Sequence, residues 1–217
     1  MRPTVIVNCA MSVDGKIALP SRKQTRLSNE EDLARVHRLR NQCDAIVVGI
    51  GTVLADDPKL TVKGKYVEEA RQPLRVVLDS RFRTPPHALV MNDAAPTLIA
   101  TTCYSQKRGN VEVIRCGTKR VDLRQLLREL DIRGVRKVLV EGGEAVIGEF
   151  LRSHLVDVLY VFVAPCVIGG RTAPTMAGGT GAATLDDVVR LHLEGVQRLG
   201  DGVLMEYRPS VTQHLDD

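Results

Sequence analysis

The sequence predicts a single α/β domain: a mixed, mostly parallel sheet flanked by helices and closed by an antiparallel pair of strands at the C-terminus. Three observations carry this. Short β-rich runs alternate with helix-period segments through the middle of the chain, the pattern of strand–helix–strand crossovers. Twice an apolar run ends in glycines just before a helix start, at 45–56 and 137–147. The C-terminal part has no helical period and reads as two strands, 188–196 and 202–207, an antiparallel edge on an otherwise parallel sheet.

The elements follow in order. Residues 4–10, TVIVNCA, form the first strand, and the polar turn 11–16 with Asp14-Gly15 at its centre ends it. Ser28 and Glu31 make a capping box for a helix running to about residue 41. Leu33, Val36, Arg40 and Cys43 share one stripe of that helix, so Arg40 requires an anion, because an unpaired buried charge is costly. Two partners are open for it: a carboxylate at the edge of the core, or the phosphate of a ligand. Residues 45–48 are a buried strand that breaks at Gly49-Ile50-Gly51, followed by a short turn and the adjacent carboxylates Asp56 and Asp57. Strands follow at 73–79, 97–101 and 111–114. Asp122 caps a helix with Leu123, Leu126, Leu127 and Leu130 on one face. A strand at 137–141 runs into Gly142-Gly143 and a helix bearing Ile147, Phe150, Leu151 and Leu155; 157–164 is a long strand ended by Pro165. All 217 residues are assigned to one domain, with those after about 209 expected as a disordered tail.

Both glycine junctions suit an anionic ligand, since glycine lets backbone approach closely and helix N-termini favour negative charge. A dinucleotide fingerprint of the Rossmann type is absent: Gly49-Ile50-Gly51 has Leu54 where the third glycine belongs. Composition narrows the classes further. With 44% hydrophobic and 26% charged residues the chain is an ordinary globular one, and no apolar run is long enough to cross a membrane. A net charge of +4 with only 3% aromatics supplies poor stacking platforms for nucleic acid. The five cysteines are scattered without a C-x-x-C pair, which indicates neither a zinc site nor a disulfide framework and suggests a reducing, cytoplasmic setting. His192-Leu193-Glu194 matches one half of a nucleobase-deaminase zinc motif, but the second half is missing. No metal site is expected, and no nucleophile elbow occurs.

The residues 8–16 (NCAMSVDGK), Arg40, 51–63 (GTVLADDPKLTVK), Asp79-Ser80 and 140–143 (VEGG) together resemble the riboflavin-biosynthesis pyrimidine reductase family, over nearly the whole chain. That resemblance implies a fold similar to that of dihydrofolate reductase, a homodimer, and NADPH as cofactor in preference to NADH. It implies reduction of the ribosyl group of 2,5-diamino-6-ribosylamino-4(3H)-pyrimidinone 5′-phosphate to ribityl, as in the stand-alone archaeal and fungal branch. The deaminated pyrimidine, a pterin-like substrate, or a non-catalytic nucleotide-binding module are the alternatives. By the same resemblance Thr52, Asp56, Ser80 and Arg81, with Gly142, Gly143, Glu144, Ala145 and Val146, are expected at the cofactor. Asn8, Ser12, Asp14, Arg40, Leu60, Lys63 and Glu141 are expected on the substrate side. Lys63 stands where bacterial members carry arginine, so a point charge replaces a bidentate fork. Asp56 and Glu141 are the candidate proton donors, and Ser80, Arg81, Arg83, Ser105, Lys107 and Arg108 the candidate partners of a cofactor 2′-phosphate.

Overall fold

The structure, a computed structural model, describes residues 2–23 and 25–210. Residues 211–217, the main part of the expected tail, lie outside the described residues. Within the described residues ten strands form one sheet: β1 (Thr4–Ser12), β2 (Ala45–Gly49), β3 (Leu74–Leu78), β4 (Thr97–Thr101), β5 (Gln106–Arg108), β6 (Val111–Arg115), β7 (Lys137–Gly142), β8 (Val158–Ala164), β9 (Leu191–Leu199) and β10 (Gly202–Pro209). Among the described residues four α-helices accompany them: α1 (Glu30–Gln42), α2 (Ile50–Asp56), α3 (Leu123–Ile132) and α4 (Glu144–Arg152). The order across the sheet is β5-β6-β4-β3-β2-β7-β1-β8-β10-β9. From β6 to β8 every pair is parallel. β10 lies antiparallel to both β8 and β9, and β5 antiparallel to β6. The mixed sheet with its antiparallel C-terminal pair is the architecture the alternation implies.

Both faces of the centre are covered, so β2 is buried at every position. Its side chains divide by the period of two. Ala45 and Val47 join the cluster under α3 and α4, with Leu126, Leu127, Leu130, Ile147 and Phe150. Ile46 and Val48 join the opposite cluster with Ile50 and Val53 of α2. Each such leucine or isoleucine contributes about 1.5–3 kcal/mol by leaving water.

Three local expectations change. Asn29, one residue later than Ser28, caps α1: its side chain accepts from the Asp32 N–H, while the Ser28 hydroxyl turns to the Asp32 carboxylate at 2.5 Å. The terminal hairpin starts three residues later than 188, because β9 is exposed along almost its whole length and has no in–out alternation to mark its start. The short edge strand β5 is too polar to carry a β signal.

Chain order places the site. β1 leads through α1 to β2, which skips one position in the sheet, and β7 later fills the gap between them. The carboxyl ends of β1, β7 and β2 thus lie side by side where the winding reverses, the crevice where open α/β sheets bind ligands.

Candidate active site

A cleft of about 440 Å³ opens at that crevice. Gly49, Gly51, Thr52 and Asp56 line it from β2 and α2, and residues 141–147 from β7 and the first turn of α4. The second glycine junction is built for close approach. Gly142 has φ +119°, a region that L side chains avoid, and open space stands where its Cβ would be. Gly143 is joined to it by a cis peptide bond, has φ −77° and caps α4 without a side chain. A Cβ on Gly143 would sit 3.3 Å from Thr52 Oγ1, so the two glycine-bearing turns face each other across the cleft. Backbone N–H groups at the start of α4 suit an anion such as a diphosphate.

Beside this junction Arg40 meets Glu141, the residue that precedes Gly142. Arg40 Nε and Nη2 donate to the two Glu141 oxygens at 2.7 Å each, and Nη1 donates to the Thr61 carbonyl at 3.1 Å. The side chains are 18% and 10% exposed, a largely buried bidentate pair. Burial opposes the Arg40 charge, but the Glu141 carboxylate and its hydrogen bonds outweigh that and raise its pKa. Of the two partners open to Arg40, the fold supplies the carboxylate. Arg40 also lines the cleft, where one N–H each on Nη1 and Nη2 is left over by these three bonds. Glu141, which lines the cleft as well, accepts from this guanidinium with both oxygens. The acid comes from β7, which helix spacing in α1 cannot show.

His37, one turn before Arg40, was not anticipated. It is buried and stacks on Tyr66 at 4.8 Å, and its Nδ1 accepts from the Lys63 N–H at 3.3 Å. Burial, with the nearby Arg40 and Lys63 charges, holds its pKa down at about 4. It therefore enters as a neutral acceptor that fixes the loop carrying the exposed Lys63.

Four expected substrate-side residues, Ser12, Asp14, Leu60 and Lys63, fall outside the lining of this cleft, whereas Arg40 and Glu141 are part of it. The Ser12 hydroxyl donates to Asp14 at 2.6 Å, and Asp14 also accepts from the Ile168 and Gly169 N–H groups. These bonds hold the Asp14 carboxyl down at about 2 and tie the β1 turn to the loop after β8. Leu60, at φ +50°, packs into the core beside α2. Asn8 does line the cleft. Ser80 and the exposed Arg81 sit just beyond β3, where Ser80 Oγ accepts from the Val121 N–H at 3.1 Å. Lys107 and Arg108 lie on the edge strand β5. Arg22 and Ser28 line the cleft without having been anticipated. Arg22 pairs with Glu144 at 2.9 Å, across elements distant in sequence. Among the described residues no group of three or more His, Cys, Asp or Glu side chains could hold a metal ion. No helix there is long and apolar enough to cross a membrane.

The model of the RibD C-terminal domain matches residues 3–205. The chain belongs to that family. Among its relatives in the RibD C-terminal domain family, the 2,5-diamino-6-ribosylamino-4(3H)-pyrimidinone 5′-phosphate reductase of Methanothermobacter thermautotrophicus is 45% identical, covering 95% of this chain and 98% of that one. The enzyme of the same name from Archaeoglobus fulgidus is 44% identical over 96% and 99% of the two chains. Among solved structures, the Thermotoga maritima diaminohydroxyphosphoribosylaminopyrimidine deaminase/5-amino-6-(5-phosphoribosylamino)uracil reductase superposes with a TM-score of 0.84 at 29% identity. The match covers 96% of this chain and 57% of that one, so this chain spans little over half of that protein.

Proposed function

We propose that this chain reduces the ribosyl group of 2,5-diamino-6-ribosylamino-4(3H)-pyrimidinone 5′-phosphate to ribityl with NADPH, a step of riboflavin biosynthesis. The carrying observation is the end-to-end likeness, 45% identical, to an archaeal enzyme of that name. The cleft suits the chemistry. A nicotinamide cofactor supplies hydride when bound, and the protein's share is to bind, orient and exclude water. The Gly142-Gly143 turn and the start of α4 would hold its diphosphate beside Thr52 and Asp56. Ser80 and Arg81 would meet its adenosine end.

On the substrate side the electrophile is C1′ of the ring-opened sugar, as an imine. It accepts hydride more readily when its nitrogen is protonated. Asp56, which lines the cleft, is the carboxyl group proposed to deliver that proton, since Glu141 is committed to Arg40. Lys63, on the loop that His37 fixes, takes the 5′-phosphate as a point charge. The Arg40–Glu141 pair holds α1 against β7 behind the reacting sugar.

The protein is proposed to work in the cytoplasm as a homodimer. Exposed apolar side chains on the terminal hairpin, Leu193, Val196 and Val203, support the dimer.

The deciding experiment follows nicotinamide absorbance with both cofactors and with the deaminated and non-deaminated pyrimidine phosphates offered separately. NADPH is expected to exceed NADH in catalytic efficiency by roughly ten- to a hundred-fold, the worth of one charge-assisted contact to the 2′-phosphate. Equal efficiencies would remove the basic cluster after β3 from the reading. Cofactor binding with no turnover of either pyrimidine would reduce the protein to a nucleotide-binding module.

A further inference from the structure

Four side chains form one hydrogen-bonded series along a wall of the cleft. Asn8 of β1 and Ser28, just ahead of α1, line the cleft itself. Behind them stand Asp32 and Arg35 of α1. Asp32 is completely buried. Its Oδ2 accepts from the Ser28 hydroxyl at 2.5 Å, and its Oδ1 accepts from Arg35 Nε at 2.8 Å. Arg35 Nη2 reaches on to Asn8 Oδ1 at 2.6 Å, with the guanidinium carbon 5.6 Å from the centre of the Tyr160 ring. The side chains of the pair at the middle, Arg35 and Asp32, are 16% and 1% exposed.

A buried ion pair is weak evidence for stability, so its placement calls for another explanation. Hydrogen-bond polarity supplies one. As the partner of a guanidinium, Asp32 is a carboxylate with only lone pairs to offer, so the Ser28 hydroxyl must donate to it. Ser28 then presents lone pairs to the cleft. Arg35 has only donors, so the Asn8 atom beside it must be the carbonyl oxygen, and Asn8 presents its NH2 group to the cleft. Serine and asparagine ordinarily adapt by rotating or flipping. Here neither can do so without taking a hydrogen bond from the buried ion pair.

We propose that this series reads the base edge of the substrate, with Ser28 as a fixed acceptor, Asn8 as a fixed donor and Asp32 as the positioning residue behind them. The inference rests on the reductase reading above. In the 2,5-diamino-4(3H)-pyrimidinone, ring N1 is an acceptor and the 2-amino group a donor. Deamination at C2 inverts both: N1 gains a hydrogen and the amino group becomes a carbonyl. A wall of fixed polarity therefore separates the two pyrimidines, because the wrong one leaves buried polar groups unpaired. The selected form is the non-deaminated one, with the 2-amino group donating to Ser28 and N1 accepting from Asn8.

The test compares kcat/KM for the two pyrimidine phosphates in the wild-type protein and in Ser28→Ala and Asp32→Asn, with Tm recorded for each. Ser28→Ala removes the acceptor and leaves the helix cap, which is Asn29, in place. The wild-type protein is expected to prefer the non-deaminated substrate. Ser28→Ala should cut that preference about tenfold or more, through KM and with Tm kept. Asp32→Asn should relax it as well, because an amide can donate to Ser28 and free the hydroxyl to turn toward the cleft. Equal wild-type efficiency with both pyrimidines overturns the inference while leaving the reductase function standing. So does a Ser28→Ala protein that loses activity equally on both. Turnover of neither substrate by the wild-type protein overturns the reductase reading, and this one with it.

Discussion

At the scale of single residues, Arg40 shows how one side chain divides fold from function. Its fork onto Glu141 is largely buried, and removing one partner strands the other. Arg40→Met is therefore expected to destabilise the fold by roughly 3–5 kcal/mol, read as a fall in denaturation midpoint. The double replacement Arg40→Met with Glu141→Leu should restore most of that, because a well-packed apolar pair avoids the desolvation cost. A single variant as stable as wild type would mean that the pair opens freely and that Arg40 is available to a ligand. His37 carries a prediction about pH. A histidine titrates near 6.5 when unfolded, whereas burial holds His37 at about 4 in the fold. Between those values the unfolded chain binds a proton that the folded chain refuses. Stability from this group is thus complete above about pH 6.5 and is lost as pH falls toward 4, by on the order of 2–3 kcal/mol. His37→Asn, which keeps an acceptor for the Lys63 N–H, should flatten that slope in urea titrations run across the window. An unchanged slope would assign the pH dependence to other groups.

At the scale of elements, the junction between β7 and α4 does two jobs with two glycines. Gly142 takes the backbone conformation that other residues avoid, and Gly143 keeps the space opposite Thr52 clear. Because Gly143 itself has φ −77°, a side chain there meets no backbone strain. Gly143→Val should fold with a Tm close to wild type and bind NADPH at least tenfold more weakly, measured by titration calorimetry. Normal affinity in the folded variant would place the diphosphate elsewhere. The helix caps show which local signals are strong. Asp122 caps α3 as its sequence implies, accepting from the Gln125 N–H at 2.9 Å. At α1 a serine and an asparagine stand side by side, and the choice between them is made by Asp32, whose carboxylate claims the serine hydroxyl.

At the scale of the whole molecule, the sheet ends in an edge strand, β9, whose side chains are exposed along almost its full length. Open edges invite pairing, and Leu193 and Val196 stand 55% and 61% exposed on this one. If the homodimer forms through it, Val196→Asp should shift the protein to monomer in sedimentation velocity while leaving its Tm little changed. A monomeric wild-type protein would refute the dimer outright. The same scale explains what could be read in advance. Alternating strand and helix patterns, the glycine breaks after β2 and β7, and the apolar stripe of α3 are local signals, written in neighbouring residues by backbone geometry and burial. They were enough to determine an α/β fold with a mixed sheet and to mark the two glycine junctions as candidate anion sites, while grouping Thr52, Asp56 and residues 142–146 rested on the family resemblance. What only the tertiary structure decided is how the charged and polar side chains pair. Arg40 with Glu141, Arg22 with Glu144, and Asn8 with Arg35 each join elements far apart in sequence. Hydrogen bonds and ion pairs act over a few ångströms in space, and no periodicity along the chain records which strand β7 will slide between.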